Sequence, residues 1–313
     1  MFPAPSELDQ STSLALHEVV RQRPLVCDGA MGTQLMLAGL EQGACGEAWN
    51  LTHPDRVLAI QRRYAEAGAD CLITNTFGGS RIMLRRHGHE AELAEINRAG
   101  ARIAREAFGG RTGYVLGDIG PLGALLEPYG DLSEENAQAA LIEQASALVE
   151  AGVDAIIIET QTGLEELGLA IAAAKTAGAR TIIASLAYDL STDGTFFKTM
   201  MGISPEQAAE FAEEHGAHII ALNCGTGMDM AAAARVAQQY RDASPLPIMV
   251  QPNAGLPVLE NLKAVYKQLP ADMAKDVPAV LNAGVSIIGS CCGSTPDHTR
   301  AIRVEVDAFL ARR

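Results

Sequence analysis

A chain of 313 residues with a formal charge of -14 repels phosphate backbones and anionic lipid, which argues against nucleic-acid and membrane partners. Hydrophobic residues make up 48% and aromatic ones only 4%, the balance of an Ala-, Ile- and Leu-rich core of parallel strands and covering helices. Six cysteines, with neither a secretory signal in Met1 to Gln10 nor an apolar run near the roughly 18 residues of a membrane span, point to a reducing compartment, the cytoplasm.

Residues 1–22 read as a lead-in segment, with a helix, outside the repeat that follows. From residue 23 to 313 the chain alternates helix and strand. Leu25-Val26-Cys27 is the first strand and ends in Asp28-Gly29-Ala30-Met31-Gly32. A wide loop from Thr33 to His53, carrying Trp49, leads to a helix closed by Gly68. Cys71-Leu72-Ile73 follows and ends in Thr74-Asn75-Thr76-Phe77. Tyr114-Val115-Leu116 is the third strand, ending at Asp118-Ile119-Gly120. Ser133-Glu134-Glu135 sets acids at a helix start, where the macrodipole favours them.

Four more helices end in glycine just before an apolar strand: Gly152 before Ala155 to Ile158, Gly178 before Thr181 to Ile183, Gly216 before His218 to Ile220, and Gly284 before Ser286 to Ile288. Glycine supplies the left-handed cap at such ends. Ile248-Met249-Val250 completes eight strands. Ser204-Pro205-Glu206-Gln207 and Thr295-Pro296 open helices with a capping residue and a proline in the first turn. Eight strands alternating with helices, with no Gly/Ser/Pro-rich linker, give a single-domain (β/α)8 barrel, an open doubly wound sheet being the alternative.

In a barrel, chemistry gathers at the C-terminal ends of the strands. Glu159 directly follows Ala155 to Ile158, Cys224 follows Leu222-Asn223, and Cys291-Cys292 follow Ile287-Ile288. Strands six, seven and eight are neighbours there, so Cys224 converges with the vicinal pair. Three thiols with an open fourth position are the donor set of a catalytic zinc. The vicinal pair can face one metal only if the backbone bends, which Gly293 permits; a vicinal disulfide or simple burial are the other readings. Cys27 and Cys71 read as core thiols, Cys45 as incidental. Asp28 and Glu159 could equally be caps or loop anchors. No G-x-S-x-G elbow or G-x-x-x-x-G-K-[ST] loop supports acyl-transfer or phosphate chemistry.

Asp28-Gly29-Ala30-Met31-Gly32-Thr33, Thr74-Asn75-Thr76-Phe77, Asn223-Cys224-Gly225 and Gly289-Ser290-Cys291-Cys292-Gly293 resemble, in order, the motifs of the homocysteine S-methyltransferase family. The resemblance covers about residues 22 to 310. Pro252 to Pro257 and Ser294 to His298 are similar to the homocysteine-binding module of cobalamin-dependent methionine synthases, more than to betaine- or S-methylmethionine-using members. It implies a barrel that holds Zn2+ through Cys224, Cys291 and Cys292, with Asn253 as an exchangeable oxygen ligand. It also implies that Asp28 and Glu159 receive the ammonium of homocysteine and that amides near Gly29 and Ala30 receive its carboxylate. Asn75 and Asn223, inside the motifs, are further substrate-binding residues on this likeness. Ser290 departs from the family's usual glycine beside the metal.

A free thiol titrates near roughly 8.5, so little of it is thiolate at neutral pH, and a Lewis-acidic zinc corrects that. The expected activity is methyl transfer to homocysteine, giving methionine. Because 313 residues cannot also hold folate, cobalamin and reactivation modules, the methyl donor is expected to be a methylcorrinoid such as methylcobalamin on a separate protein. S-methylmethionine, S-adenosylmethionine or betaine are the alternatives, and a non-catalytic zinc-binding barrel is the competing class. The loop from Thr33 to His53, with Trp49, and the segment from Leu122 to Leu132 are the expected donor-side surfaces.

Overall fold

The computed structural model describes residues 14–260 and 263–312. Eight parallel strands form one sheet: β1 (Leu25–Val26), β2 (Cys71–Ile73), β3 (Tyr114–Ile119), β4 (Ala155–Gln161), β5 (Ile182–Leu186), β6 (Ile219–Asn223), β7 (Ile248–Gln251) and β8 (Val285–Ile288). Each pairs with its neighbours in sequence, and β8 pairs with β1. A bridge from Cys27 to Cys71 joins β1 to β2, with the Asp70 amide 2.7 Å from the Val26 carbonyl. The sheet closes. Helices Pro54–Glu66, Leu93–Ala107, Glu134–Glu150, Leu164–Thr176, Pro205–Glu214 and Met230–Ala243 each carry the chain back to the next strand. The pair Pro270–Ala274 and Val277–Asn282 does so before β8, and Pro296–Leu310 follows it. The architecture is the (β/α)8 barrel.

Alternation along the strands sorts two cores. On β4, Ile156 and Ile158 pack outward against the helices, whereas Ala155 and Ile157 face the axis. The axial cluster also takes Leu25, Leu116, Ile183, Ile219, Met249 and Ile287. Its N-terminal end is plugged by Leu16 and Val20, from and just after the short helix Leu16–Val19. Thus the described part of the lead-in segment stands outside the repeat yet completes its core; residues 1–13 lie outside the described residues.

The punctuation read from the sequence is present in the backbone. Gly68, Gly152, Gly178, Gly216 and Gly284 all adopt positive φ. Ser204 closes a capping box with Gln207, and Ser133 accepts from the Asn136 amide. Two antiparallel hairpins went unforeseen, Asp189–Leu190 with Phe197–Lys198 and Pro257–Glu260 with Lys263–Tyr266. Both lie in loops at the C-terminal rim.

One expectation needs correction there. The stretch from Thr33 to His53 is partly helical (Met31–Leu37, Trp49–Thr52), and Trp49 is buried against Leu35, Val57 and Ile60 with Arg56 over its ring. An indole is too large an apolar surface to leave in water when a helix lies beside it. Trp49 is a packing residue, while Leu125 and Tyr129 of the other expected segment are exposed. Among the described residues no helix is long and apolar enough to cross a membrane.

Candidate active site

The thiols are delivered by backbone that departs from regular strand. Cys224 follows β6 with φ +56°, in the left-handed region, and Gly225 continues the turn at +92°. A Cβ on Gly225 would sit 1.8 Å from the Tyr188 carbonyl oxygen, so only glycine fits. A non-glycine left-handed residue costs about 1–3 kcal/mol and persists only where its surroundings over-determine it. Here the Cys224 amide donates to the Gln251 carbonyl at 3.3 Å, tying the turn to β7.

The vicinal pair lies beyond the end of β8. Ser290 N–H donates to the Asp28 carbonyl, Cys291 N–H to the Pro252 carbonyl at 2.8 Å, and the Cys292 carbonyl accepts from Ala254 N–H at 3.0 Å. Gly293 then turns the chain at φ +79°. The bend needed to bring both thiols to one side is therefore made outside the ladder. Cys224 Sγ is 3.8 Å from Cys292 Sγ, which is 3.9 Å from Cys291 Sγ, and all three lie within 4.8 Å of one another. These spacings exclude a vicinal disulfide, whose sulfurs are about 2.05 Å apart.

The trio shares its protons. S–H donors from Cys291 and Cys292 pull Cys224 down to about 2, while the bond to Cys224 pushes Cys292 up to about 11 and raises Cys291 well above the usual thiol value. The three thiols are coupled and titrate as a unit. Asn253 stands beside the set: its Nδ2 donates to the Gly225 carbonyl at 3.0 Å, its amide also hydrogen-bonds Cys224, and its Oδ1 is buried without a partner. Three converging sulfurs are a donor set suited to a metal ion that keeps one position open. The cluster could bind a metal.

Three carboxyls stand beside it. Asp28 follows β1, 2% exposed, its Oδ2 accepting from Ile73 N–H at 2.8 Å and Oδ1 from the Cys27 thiol. Burial pushes it to about 8. Glu159, on the inward side of β4, is partly open to the mouth, and burial raises it to about 7. Asp118 on β3 is hidden below, hydrogen-bonded to Glu159, and burial followed by the charge of Glu159 raises it well above the carboxylate range. Sequence reasoning placed Asp118 at a strand end but assigned it no role. The signal was strand parity: it stands two residues beyond the inward Leu116.

The remaining expected residues are close but mostly engaged. Asn223 Oδ1 accepts from Thr160 N–H (2.9 Å) and the Ser185 hydroxyl (2.7 Å), while its Nδ2 donates to Thr160 Oγ1 (2.7 Å). These bonds pin Thr160, the other left-handed residue at φ +59°, directly after Glu159. Asn75 donates to the Gly46 carbonyl and to Asn50, joining the loops after β1 and β2. Ala30 N–H donates to Ser294 Oγ at 3.0 Å. A Cβ on Gly29 would be 2.9 Å from Ser290 Oγ, so the hydroxymethyl at 290 occupies space that glycine at 29 leaves.

Tyr266 was also missed. The hairpin lays its ring on Gly293, where a Cβ would come within 2.0 Å of the ring, and its hydroxyl hydrogen-bonds Cys292. Only the unforeseen hairpin brings it there.

Residues 25–306 match the homocysteine S-methyltransferase family. The chain is 35% identical over 317 residues to the methionine synthase of Mycobacterium leprae, covering 95% of this chain and 25% of the relative. It is 35% identical over 313 residues to that of Mycobacterium tuberculosis, with 93% and 25% covered. The chain thus spans about a quarter of the length of the curated relatives it matches. Its fold is similar to the metallated form of the homocysteine methyltransferase MmuM from Escherichia coli, at a TM-score of 0.75 and 21% identity over 92% of this chain and 98% of that one.

Proposed function

The chain belongs to the homocysteine S-methyltransferase family, and on that footing we propose that it methylates homocysteine to methionine on a zinc ion held by Cys224, Cys291, Cys292 and Asn253. The observation that carries the reading is the convergence of three thiols, from the ends of β6 and β8, beside an amide oxygen with no partner. Bound zinc supplies Lewis acidity that keeps the substrate sulfur a nucleophilic thiolate near neutral pH.

The residues of the chain bind and orient. Glu159 opens on the mouth and, with Asp28 behind it, receives the α-ammonium of homocysteine; a charge-assisted contact of that kind is stronger than a neutral one. The amides of Gly29 and Ala30 face the carboxylate, Ala30 sharing its N–H with Ser294. Asn223 and Asn75 serve the substrate by fixing the turns that present Glu159 and the β2 loop. With both ends of the amino acid held, its sulfur is directed to the cysteine cluster. The sulfur lone pair then forms the new S–CH3 bond as the donor–methyl bond breaks and its electron pair stays with the donor.

The donor in this reading is a methylcorrinoid carried on another protein or module. The methionine synthase relatives favour it, and so does the rim. Leu37, Phe77, Tyr129, Met200 and Leu256, in the connections that follow β1, β2, β3, β5 and β7, expose large side chains. Exposed apolar surface on the connections at this end of the barrel suits a large partner better than a small diffusing donor. The test is homocysteine methylation by the zinc-loaded chain with methylcobalamin, and separately with S-methylmethionine, S-adenosylmethionine and betaine. Turnover with methylcobalamin alone is expected; turnover with a small donor and none with methylcobalamin would replace the donor while keeping the acceptor chemistry. The free thiols suit a reducing cytoplasm.

A further inference from the structure

β3 and β4 set two carboxyls against each other at the top of the barrel. Asp118 pairs in register with the inward Ile157, and Glu159 is the next inward residue above it. Asp118 therefore lies beneath Glu159, almost wholly buried, while Glu159 reaches the mouth. Asp118 is held rigidly from the neighbouring elements. Its N–H donates to Thr74 Oγ1 at 2.9 Å, and its carbonyl accepts from Thr76 Oγ1 at 2.8 Å and from the Gln144 amide at 3.2 Å. Its Oδ1 has no partner.

Two carboxyls in hydrogen-bond contact must hold a proton between them, because like charges at that distance cannot both ionise. The charges acting most strongly on Asp118 are Glu159, Glu47 and Asp28, all acids; the charge felt by Glu159 is Cys224. The proton belongs on the deeper group, Asp118, which is hidden from the mouth that Glu159 reaches. Asp118, staying protonated, then donates to Glu159, and that bond opposes the burial that would otherwise neutralise Glu159.

We propose that Asp118 is a positioning residue for substrate binding: its protonated carboxyl donates to Glu159, keeping that group ionised and aimed at the mouth to receive the α-ammonium. The inference rests on the homocysteine reading above. It differs from a plain two-acid cage, because Asp118 acts as a donor and a neutral donor can replace it.

The experiment compares native chain, Asp118→Asn and Asp118→Ala, with Asp118→Val as a second donor-less variant should alanine fail to fold. Thermal unfolding and zinc content verify each protein. Two quantities are read from pH 6.5 to 9: KM for homocysteine, and calorimetric Kd for methionine, which has no thiol to titrate. Losing the donor should raise both by about 10-fold at pH 7, shrinking to less than about 2-fold at pH 9 as Glu159 ionises unaided, with kcat nearly unchanged. Asparagine, which still donates, should stay within about 3-fold of native throughout. Native affinity in the donor-less variant at pH 7, or equal pH-independent losses in asparagine and alanine, would overturn the proposal. Failure of the native chain to bind either amino acid would instead bring down the homocysteine reading.

Discussion

The two ends of the barrel axis are built from the same inward strand positions and differ in almost everything else. At the N-terminal end Leu25, Ile157, Ile183 and Ile219 interlock, fully buried, in regular ladder geometry, with Leu16 of the lead-in helix packed onto them. Two residues further along the same strands, Leu116 gives way to Asp118 and Ile157 to Glu159, and the backbone enters the left-handed region at Thr160, near the end of β4, and at Cys224, just after β6. One end gains free energy by burying apolar surface. The other loses it by burying acids, crowding thiols and straining backbone, and the apolar end offsets that loss. The contrast teaches that a position's chemistry here depends on its height along the axis more than on its strand.

The contrast breaks most sharply at the thiols. Cys224→Ser should lower methyl transfer by more than about 100-fold, since even the outer partners of metal ligands are worth 10–100-fold, and should abolish stoichiometric zinc. Circular dichroism and thermal unfolding should remain close to native, because nothing at the apolar end depends on that sulfur. Retained zinc and activity would refute the ligand assignment. The converse substitution lies at the other end. Ile157→Ala leaves a cavity in the axial cluster and should cost about 2–5 kcal/mol in urea unfolding, with activity per folded molecule preserved.

The smallest effect is a dependence of stability on pH. Asp28 and Glu159 titrate near about 8 and about 7 in the folded chain, both raised chiefly by burial, whereas in the unfolded chain such carboxyls titrate near roughly 4. Between those values the folded state binds more protons, so raising pH through this window favours unfolding. Metal-free protein should therefore have a lower unfolding midpoint at pH 8 than at pH 5. Asp28→Asn should flatten the slope; an unchanged slope would show that this acid is not held protonated.

All eight strands were legible, because fully buried parallel strands are short apolar runs closed by helix-capping glycines, as at Gly152 before Ala155 to Ile158. The convergence of Cys224 with Cys291 and Cys292 was legible too, since neighbouring strands must bring their ends together. What escaped was information that only tertiary contact carries. The strand β4 runs on through Glu159 to Gln161, where no apolar run announces it. Asp118 becomes notable only when Glu159 lies on it, and Tyr266 only when the hairpin folds back over Gly293. Trp49 invited a surface role because a lone tryptophan in a loop looks available until a helix covers it.

The loops after β1, β7 and β8 are laced together by main-chain bonds, Ser290 to Asp28, Cys291 to Pro252 and Ala254 to Cys292, none of which reads side-chain identity. An insertion or deletion in any one of them displaces the other two. The loops after β2, β3 and β5, which carry Phe77, Tyr129 and Met200, make none of these three bonds. They have ties of their own: Gly120 N–H donates to the Phe77 carbonyl, joining the loops after β3 and β2, and Leu190 N–H donates to the Thr226 carbonyl, joining those after β5 and β6. A change of length in the loops after β1, β7 or β8 therefore moves the backbone of Cys291 and Cys292 itself, whatever side chains the altered loop carries.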